Sequence, residues 1–174
     1  MKYGSCQDRG VGQLSGMLTR LSPDTPHFSA LLTLNNEHAQ ELSAADEARF
    51  ALLLERAFYA ASMNDSEALL IAFDQDADYD SPNFLWFKQR FLKFVYIDRV
   101  VTAKAARGRG HGVALYDALF QQARLAGHTI AVCEVNEDPP NPASDAFHAR
   151  FGFSPAGRAK LPNGKEVRYF VKTL

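Results

Sequence analysis

Arg107-Gly108-Arg109-Gly110-His111-Gly112 stands between an apolar, strand-like run that ends near Thr102 and a helical pattern that starts at Val113. Glycines at 108, 110 and 112 let the backbone turn tightly and approach a ligand with no Cβ in the way. A turn that feeds a helix start gathers free N–H groups at one point, and the helix dipole adds positive potential there, so the stretch suits phosphate. Arg107 and Arg109 add charge-assisted donors. The plain alternative is a Gly-rich connection on a solvated surface. Two common phosphate motifs are excluded. The dinucleotide fingerprint needs Gly or Ala where Leu115 stands, and the P-loop needs a Gly-Lys-Ser/Thr that is absent.

On either side the pattern is that of a βαβ unit. Residues 94–102 read as a strand. Residues 113–126 carry Leu115, Tyr116, Leu119, Phe120 and Ala123 on one helical face and close at Gly127. Residues 129–135 form a near-continuous apolar run, as in a strand buried on both faces. The two strands are then parallel and their crossover right-handed. Asn141-Pro142 opens another helix with an N-cap and a first-turn proline, and Phe147 and Phe151 give it an apolar stripe before Gly152. A strand over 153–161, the turn Asn163-Gly164 and the alternation of Val167, Tyr169 and Val171 predict a closing hairpin.

The first half carries weaker signals. Residues 1–26 are glycine-rich and unpatterned and read as an appended tail, with Met17 an alternative start. Residues 28–34 read as a first strand. A helix is expected from Ser43, with Asp46 as its capping-box partner, through Phe50, Leu53, Leu54 and Ala57. Strands over 57–63 and 67–73 should pair antiparallel across Asn64-Asp65. The acidic run 74–80 begins like a calcium loop, but Tyr79 stands where the tight turn needs Gly and Leu85 where a bidentate Glu is needed. A solvated loop, or carboxylates that draw a cationic amine, are the readings left. Ser81-Pro82 starts a helix with Phe84, Phe87 and Phe91 on one face. Trp86 points elsewhere, toward an acceptor pocket or a structural contact.

The chain of 174 residues has 47% hydrophobic and 22% charged residues, which suits one globular domain, and its net charge of −1 gives no global pull toward nucleic acid or anionic membrane. Cys6 and Cys133 are too far apart for a metal-ligand spacing and do not make a disulfide framework, so a reducing cytoplasm and no metal are expected. No run reaches membrane-spanning length, and the N-terminus lacks a signal-peptide core.

Arg107, Gly110 and Gly112 fill an Arg-x-x-Gly-x-Gly pattern that resembles the acyl-CoA pyrophosphate loop of the GNAT superfamily of N-acetyltransferases. Tyr96-Ile97-Asp98-Arg99-Val100-Val101-Thr102 resembles its central strand. Asn141, Ser144, Phe147, His148, Gly152 and Phe153 fall at the spacing of its Asn-x-x-Ala-x-x-Phe-Tyr-x-x-x-Gly-Phe helix. The likeness covers about residues 94–157, and the combination is similar to a little-characterised bacterial branch of predicted acetyltransferases. It departs in two places: His148 replaces the Tyr that often protonates the departing CoA thiolate, and residues 136–140 lengthen a loop.

The resemblance implies an α/β (α+β) fold over residues 27–174. Its mixed, mostly antiparallel sheet would have six or seven strands, helices on both faces, and parallel fourth and fifth strands that diverge. It implies acetyl transfer from acetyl-CoA to a primary amine of a small molecule or protein, directly within a ternary complex. Val100, Val101 and Thr102 would hydrogen-bond the pantetheine arm. Gly108, Arg109, Gly110, His111, Gly112 and Val113 would hold the pyrophosphate, with Arg107 beside them. Asn136, Asn141, Ser144 and Phe147 would line the cofactor or position water. His148 is the candidate acid. The base is Glu134, a lone carboxylate in an apolar run, or Asp98, whose neighbour Arg99 offers a structural ion pair instead. A non-catalytic CoA-binding module is the competing reading. A homodimer is compatible with the family. Acetylation of ribosomal protein or tRNA would need a basic surface, against which the acidic run argues.

Overall fold

The computed structural model describes residues 16–138 and 140–174. Seven strands form one sheet in the order β1-β2-β3-β4-β5-β7-β6. They are β1 (Leu18–Arg20), β2 (Tyr59–Met63), β3 (Ala68–Asp74), β4 (Val95–Thr102), β5 (Ile130–Asp138), β6 (Ser154–Lys160) and β7 (Glu166–Thr173). Neighbours run antiparallel except β4 and β5, the parallel pair joined by the crossover helix α5 (His111–Leu125). The remaining helices are α1 (Phe28–Glu37), α2 (Ala39–Leu42), α3 (Glu47–Arg56), α4 (Pro82–Lys88) and α6 (Pro142–Arg150).

The alternation along β3 accounts for the two layers. Leu69, Ile71 and Phe73 face one core with Leu31 and Leu34 of α1, Phe50 and Leu53 of α3, and Phe84 and Phe87 of α4. Ala68, Leu70 and Ala72 face the other with Leu115, Tyr116, Leu119 and Phe120 of α5. Burial on both faces explains why β3 and β5 read as apolar runs.

Four boundaries differ from expectation. Residues 18–20, expected within the tail, pair with β2 as the edge strand, and Asn64 N–H donates to the Met17 carbonyl at 2.8 Å. The tail up to residue 15, with Cys6, lies outside the described residues. Residues 28–34 form α1 and not a strand. Phe28 meets Phe50 edge-on at 5.2 Å and Leu31, Leu34 and Asn35 are buried, a helical spacing that packs one face on the core. Asp46 is itself the cap of α3, accepting from Arg49 N–H at 2.7 Å. Helix α5 starts two residues early, at His111. Among the described residues no helix is long and apolar enough to cross a membrane.

Candidate active site

β4 and β5 are paired only from Val95↔Ala131 to Ile97↔Cys133, and beyond that the two strands run on without each other. The split places residues 98–102 and 134–138 on either side of a cleft, with backbone groups that no longer answer one another.

From the α5–α6 side a cavity of about 520 Å³ enters this split, lined by Val100, Val101 and Thr102 of β4, Arg107, Gly108 and Gly112 of the turn, and Asn141, Ser144, Phe147 and His148 of α6. Gly108 and Gly110 hold φ of +79° and +82°, the left-handed region that favours glycine. Gly110 is the N-cap of α5 with no side chain capping the helix, so the first-turn N–H groups are left for a ligand. A Cβ at Gly112 would stand 3.3 Å from the Phe147 ring, so the third glycine serves close helix–helix packing.

The two arginines separate. Arg107 lines the cavity, whereas Arg109 Nη1 bonds Glu67 Oε1 at 3.0 Å. His111 is buried with Nε2 2.8 Å from Glu67 Oε2. The side chains of Arg109 and His111 thus brace the turn against the β2–β3 corner, and neither lines this cavity; nor does Val113. They can serve a phosphate only through backbone N–H.

On the α3–α4 side a second cavity, about 310 Å³, is walled by Arg49, Tyr79, Asp80, Asn83, Asp98 and Lys165 among others. A narrow passage of about 80 Å³ shares Val100, Ser144 and His148 with the first cavity and Asp98, Glu134 and Asn136 with the second. The cleft therefore runs through the sheet at its split.

Glu134 sits at the junction. Its Oε1 accepts from Asn83 Nδ2 at 2.9 Å and from Tyr96 Oη at 3.0 Å, while the buried Oε2 has no hydrogen-bond partner. Burial, and then the charge of Asp98, push its carboxyl from 4.5 up to about 8. Tyr96 is held well above the usual tyrosine range by burial and by Glu134. Asn83 in turn accepts from Tyr169 Oη at 3.0 Å.

Asp98, the alternative base, is spent on structure. Its Oδ1 accepts from Tyr79 Oη at 2.7 Å and Oδ2 from Arg99 Nε at 3.0 Å. The buried Arg99 also donates to Asn35 Oδ1 and, at 2.9 Å, to the Ser43 carbonyl.

His148 is buried, with Nε2 2.8 Å from Tyr116 Oη and Nδ1 2.8 Å from the Ser144 carbonyl. A carbonyl only accepts, so Nδ1 carries the proton and Nε2 accepts from Tyr116. Burial pushes the imidazole below its usual value, which favours this neutral form. Both nitrogens are engaged, a different situation from a free imidazolium acid.

Trp86 stacks on Tyr169 at 4.1 Å and is a structural contact. Of the acidic run, Asp80 lines the second cavity and Asp78 pairs with Arg56 at 2.8 Å. Asn83, Tyr96 and Tyr116 were not among the expected site residues. Asn83 directly follows a Ser-Pro helix start, a position that carries a polar side chain over the sheet, but nothing in sequence joins it to Glu134. Among the described residues no cluster of His, Cys, Asp and Glu is arranged to hold a metal.

The sequence profile of the Acetyltransferase (GNAT) family matches residues 83–153, from Asn83 of α4 through Phe153 after α6. Over these residues the chain is similar to the GNAT family of acetyltransferases. An N-acetyltransferase of Streptomyces griseus is 41% identical over 80 residues, which span 43% of this chain and 40% of that relative. Ard1 from Thermoplasma volcanium superposes with a TM-score of 0.71 at 14% identity, covering 92% of this chain and 98% of the other. The ribosomal-protein-S18-alanine N-acetyltransferase from Escherichia coli gives 0.62 at 16% identity over 91% and 93%. Arabidopsis thaliana NAA60, solved with acetyl-CoA, gives 0.66 at 14% identity over 92% and 100%. At these identities the structures share the fold with this chain.

Proposed function

We propose that the protein is an acyl-CoA-dependent N-acetyltransferase that moves an acetyl group from acetyl-CoA to a primary amine by direct transfer in a ternary complex. The observation that carries this reading is the unpartnered Oε2 of Glu134 at the point where the two cavities meet. An amine arriving from the α3–α4 side meets a carboxylate poised near neutral pH, and a thioester arriving from the α5–α6 side meets the free edge of β4.

In this reading the first-turn N–H groups of α5 and Arg107 hold the pyrophosphate, and residues 100–102 hold the pantetheine arm through their backbone. Glu134 takes the proton from the ammonium, the neutral nitrogen attacks the thioester carbonyl, and a β4 N–H receives the oxyanion. As the C–S bond breaks, the hydrogen-bonded pair of Tyr116 and His148 gives a proton to the leaving thiolate and is restored by the second proton that the new amide nitrogen sheds, which leaves one net proton on Glu134 for release to solvent. The S18-alanine enzyme is named for a protein amine, so protein amines stand beside small amines as acceptors.

Calorimetric titration of CoA and acetyl-CoA into wild type and Gly110→Asp tests the cradle. The variant places a carboxylate at the N-cap of α5. Micromolar binding by wild type that the folded variant loses supports the reading. Absence of binding by wild type overturns it.

A non-catalytic CoA-binding module is the second reading, favoured by the neutral, doubly bonded His148 at the position of the usual acid. Tight CoA binding without thiol release across an amine panel would select it.

A further inference from the structure

Glu67, at the β2–β3 corner, grips the glycine turn at both ends. Its carbonyl accepts at 2.8 Å from the N–H of Ala103, where the chain leaves β4. Its carboxylate accepts from Arg109 Nη1 at 3.0 Å and, at 2.8 Å, from Nε2 of the buried His111 that opens α5. Asn64 Nδ2 donates to the same carboxylate at 2.9 Å, and Asn64 and then His111 hold its carboxyl below the usual range. Between the two grips Gly108 and Gly110 take left-handed φ, and a Cβ at Gly108 would meet nothing within 4 Å. Packing does not fix the turn at that point, and its glycines leave it wide conformational freedom.

We propose that Glu67 is the positioning residue of the diphosphate cradle, clamping residues 103–111 so that the first-turn N–H groups of α5 converge before the cofactor arrives. The proposal rests on the CoA-binding reading and adds a residue outside the cleft that sets its affinity for the donor. Glu67 lines neither cavity nor the passage between them and acts through Arg109, His111 and Ala103. Charge alone has the opposite sign. An acid beside an anion site repels the anion, so on that ground its removal tightens binding. Without the clamp, ordering of the turn is deferred to the binding step and affinity falls.

The test titrates CoA and acetyl-CoA into wild type, Glu67→Ala and Glu67→Gln by calorimetry, with melting curves to check folding. Glu67→Ala should weaken CoA by about tenfold or more. Glu67→Gln, which keeps an acceptor for His111 and loses the ion pair with Arg109, should fall between it and wild type. Acetyl-pantetheine, which carries the thioester and no diphosphate, is followed by ligand-observed NMR, and its affinity should be the same in all three. In turnover the loss should appear in the KM for acetyl-CoA and not in kcat. CoA affinity equal to wild type or tighter in the two variants overturns the clamp, as does an equal loss of acetyl-pantetheine, which would make Glu67 a general prop of the fold. No CoA binding by wild type fails the CoA-binding reading itself, and Glu67-dependent binding without turnover keeps the clamp and sinks the transferase reading.

Discussion

Replacing Glu134 by Gln isolates the carboxylate at the junction of the cavities. The amide oxygen can still accept from Asn83 and Tyr96, as Oε1 does at 2.9 and 3.0 Å, so the geometry should survive while the base is lost. With the wild-type carboxyl near 8, about a tenth of the protein carries the reactive carboxylate at pH 7. Thus kcat/KM should rise with unit slope up to about pH 8 and level off by about 9. In Glu134→Gln that limb should vanish and the plateau fall by roughly 10²–10⁴, with CoA affinity unchanged. Stability gives an independent reading. A carboxyl raised above its unfolded value keeps protons longer in the native state, so wild type loses stability as pH rises from 4.5 through about 8. The upper bound of that loss is about 5 kcal/mol, and water entering the cleft reduces it. Glu134→Gln should therefore melt above wild type at pH 9 and match it at pH 4. A rate flat from pH 6 to 9, or a limb that persists in the variant, would refute the assignment.

Asn83→Ala removes a donor to the charged form of Glu134, so the acid limb should move up by roughly one pH unit, read from the pH–rate profile. Asp98→Asn strips the buried Arg99 of its carboxylate and should cost roughly 3 kcal/mol by urea denaturation, with CoA affinity retained. Tyr116→Phe and His148→Phe should each lower kcat, and the double variant should lose little more than either alone, since the residues act as one pair; additive losses would separate them. Gly157→Val should lower the melting temperature, because a Cβ there comes within 2.6 Å of Trp86 and displaces it from Tyr169.

What the sequence disclosed was whatever is written locally. The glycine turn, the amphipathic stripe of α5, Asn141-Pro142 and Asn163-Gly164 each carry their own backbone chemistry, and each is found where it was read. β1 was hidden because three residues show no period and become a strand only when β2 is beside them. The run 28–34 was read as a strand because so short an apolar run fixes no period, and its packing on Phe50 makes it a helix. Glu134 was visible as a carboxylate out of place in an apolar run. Its partners were not, since Asn83 and Tyr96 lie 51 and 38 positions away. Arg109, read as a phosphate ligand, is held by Glu67 across 42 positions, a contact that only the sheet brings about.

The division of labour between the two carboxylates follows from a single irregularity in β4. Ile71 faces Arg99 and Ala72 faces Ile97, so Asp98 is an extra residue with no partner on β3, a bulge. In a regular strand Asp98 and Arg99 would point to opposite faces. The bulge turns both to the side of α1 and Tyr79, where Arg99 reaches Asn35 and Asp98 reaches the Tyr79 hydroxyl. Asp98 is thereby satisfied as an ion at the edge of the cleft. Its charge is then a fixed neighbour of Glu134 and holds that carboxyl high, where it can exchange a proton near neutral pH. One inserted residue thus ties α1 and the Tyr79 loop to β4 and tunes the acid opposite it.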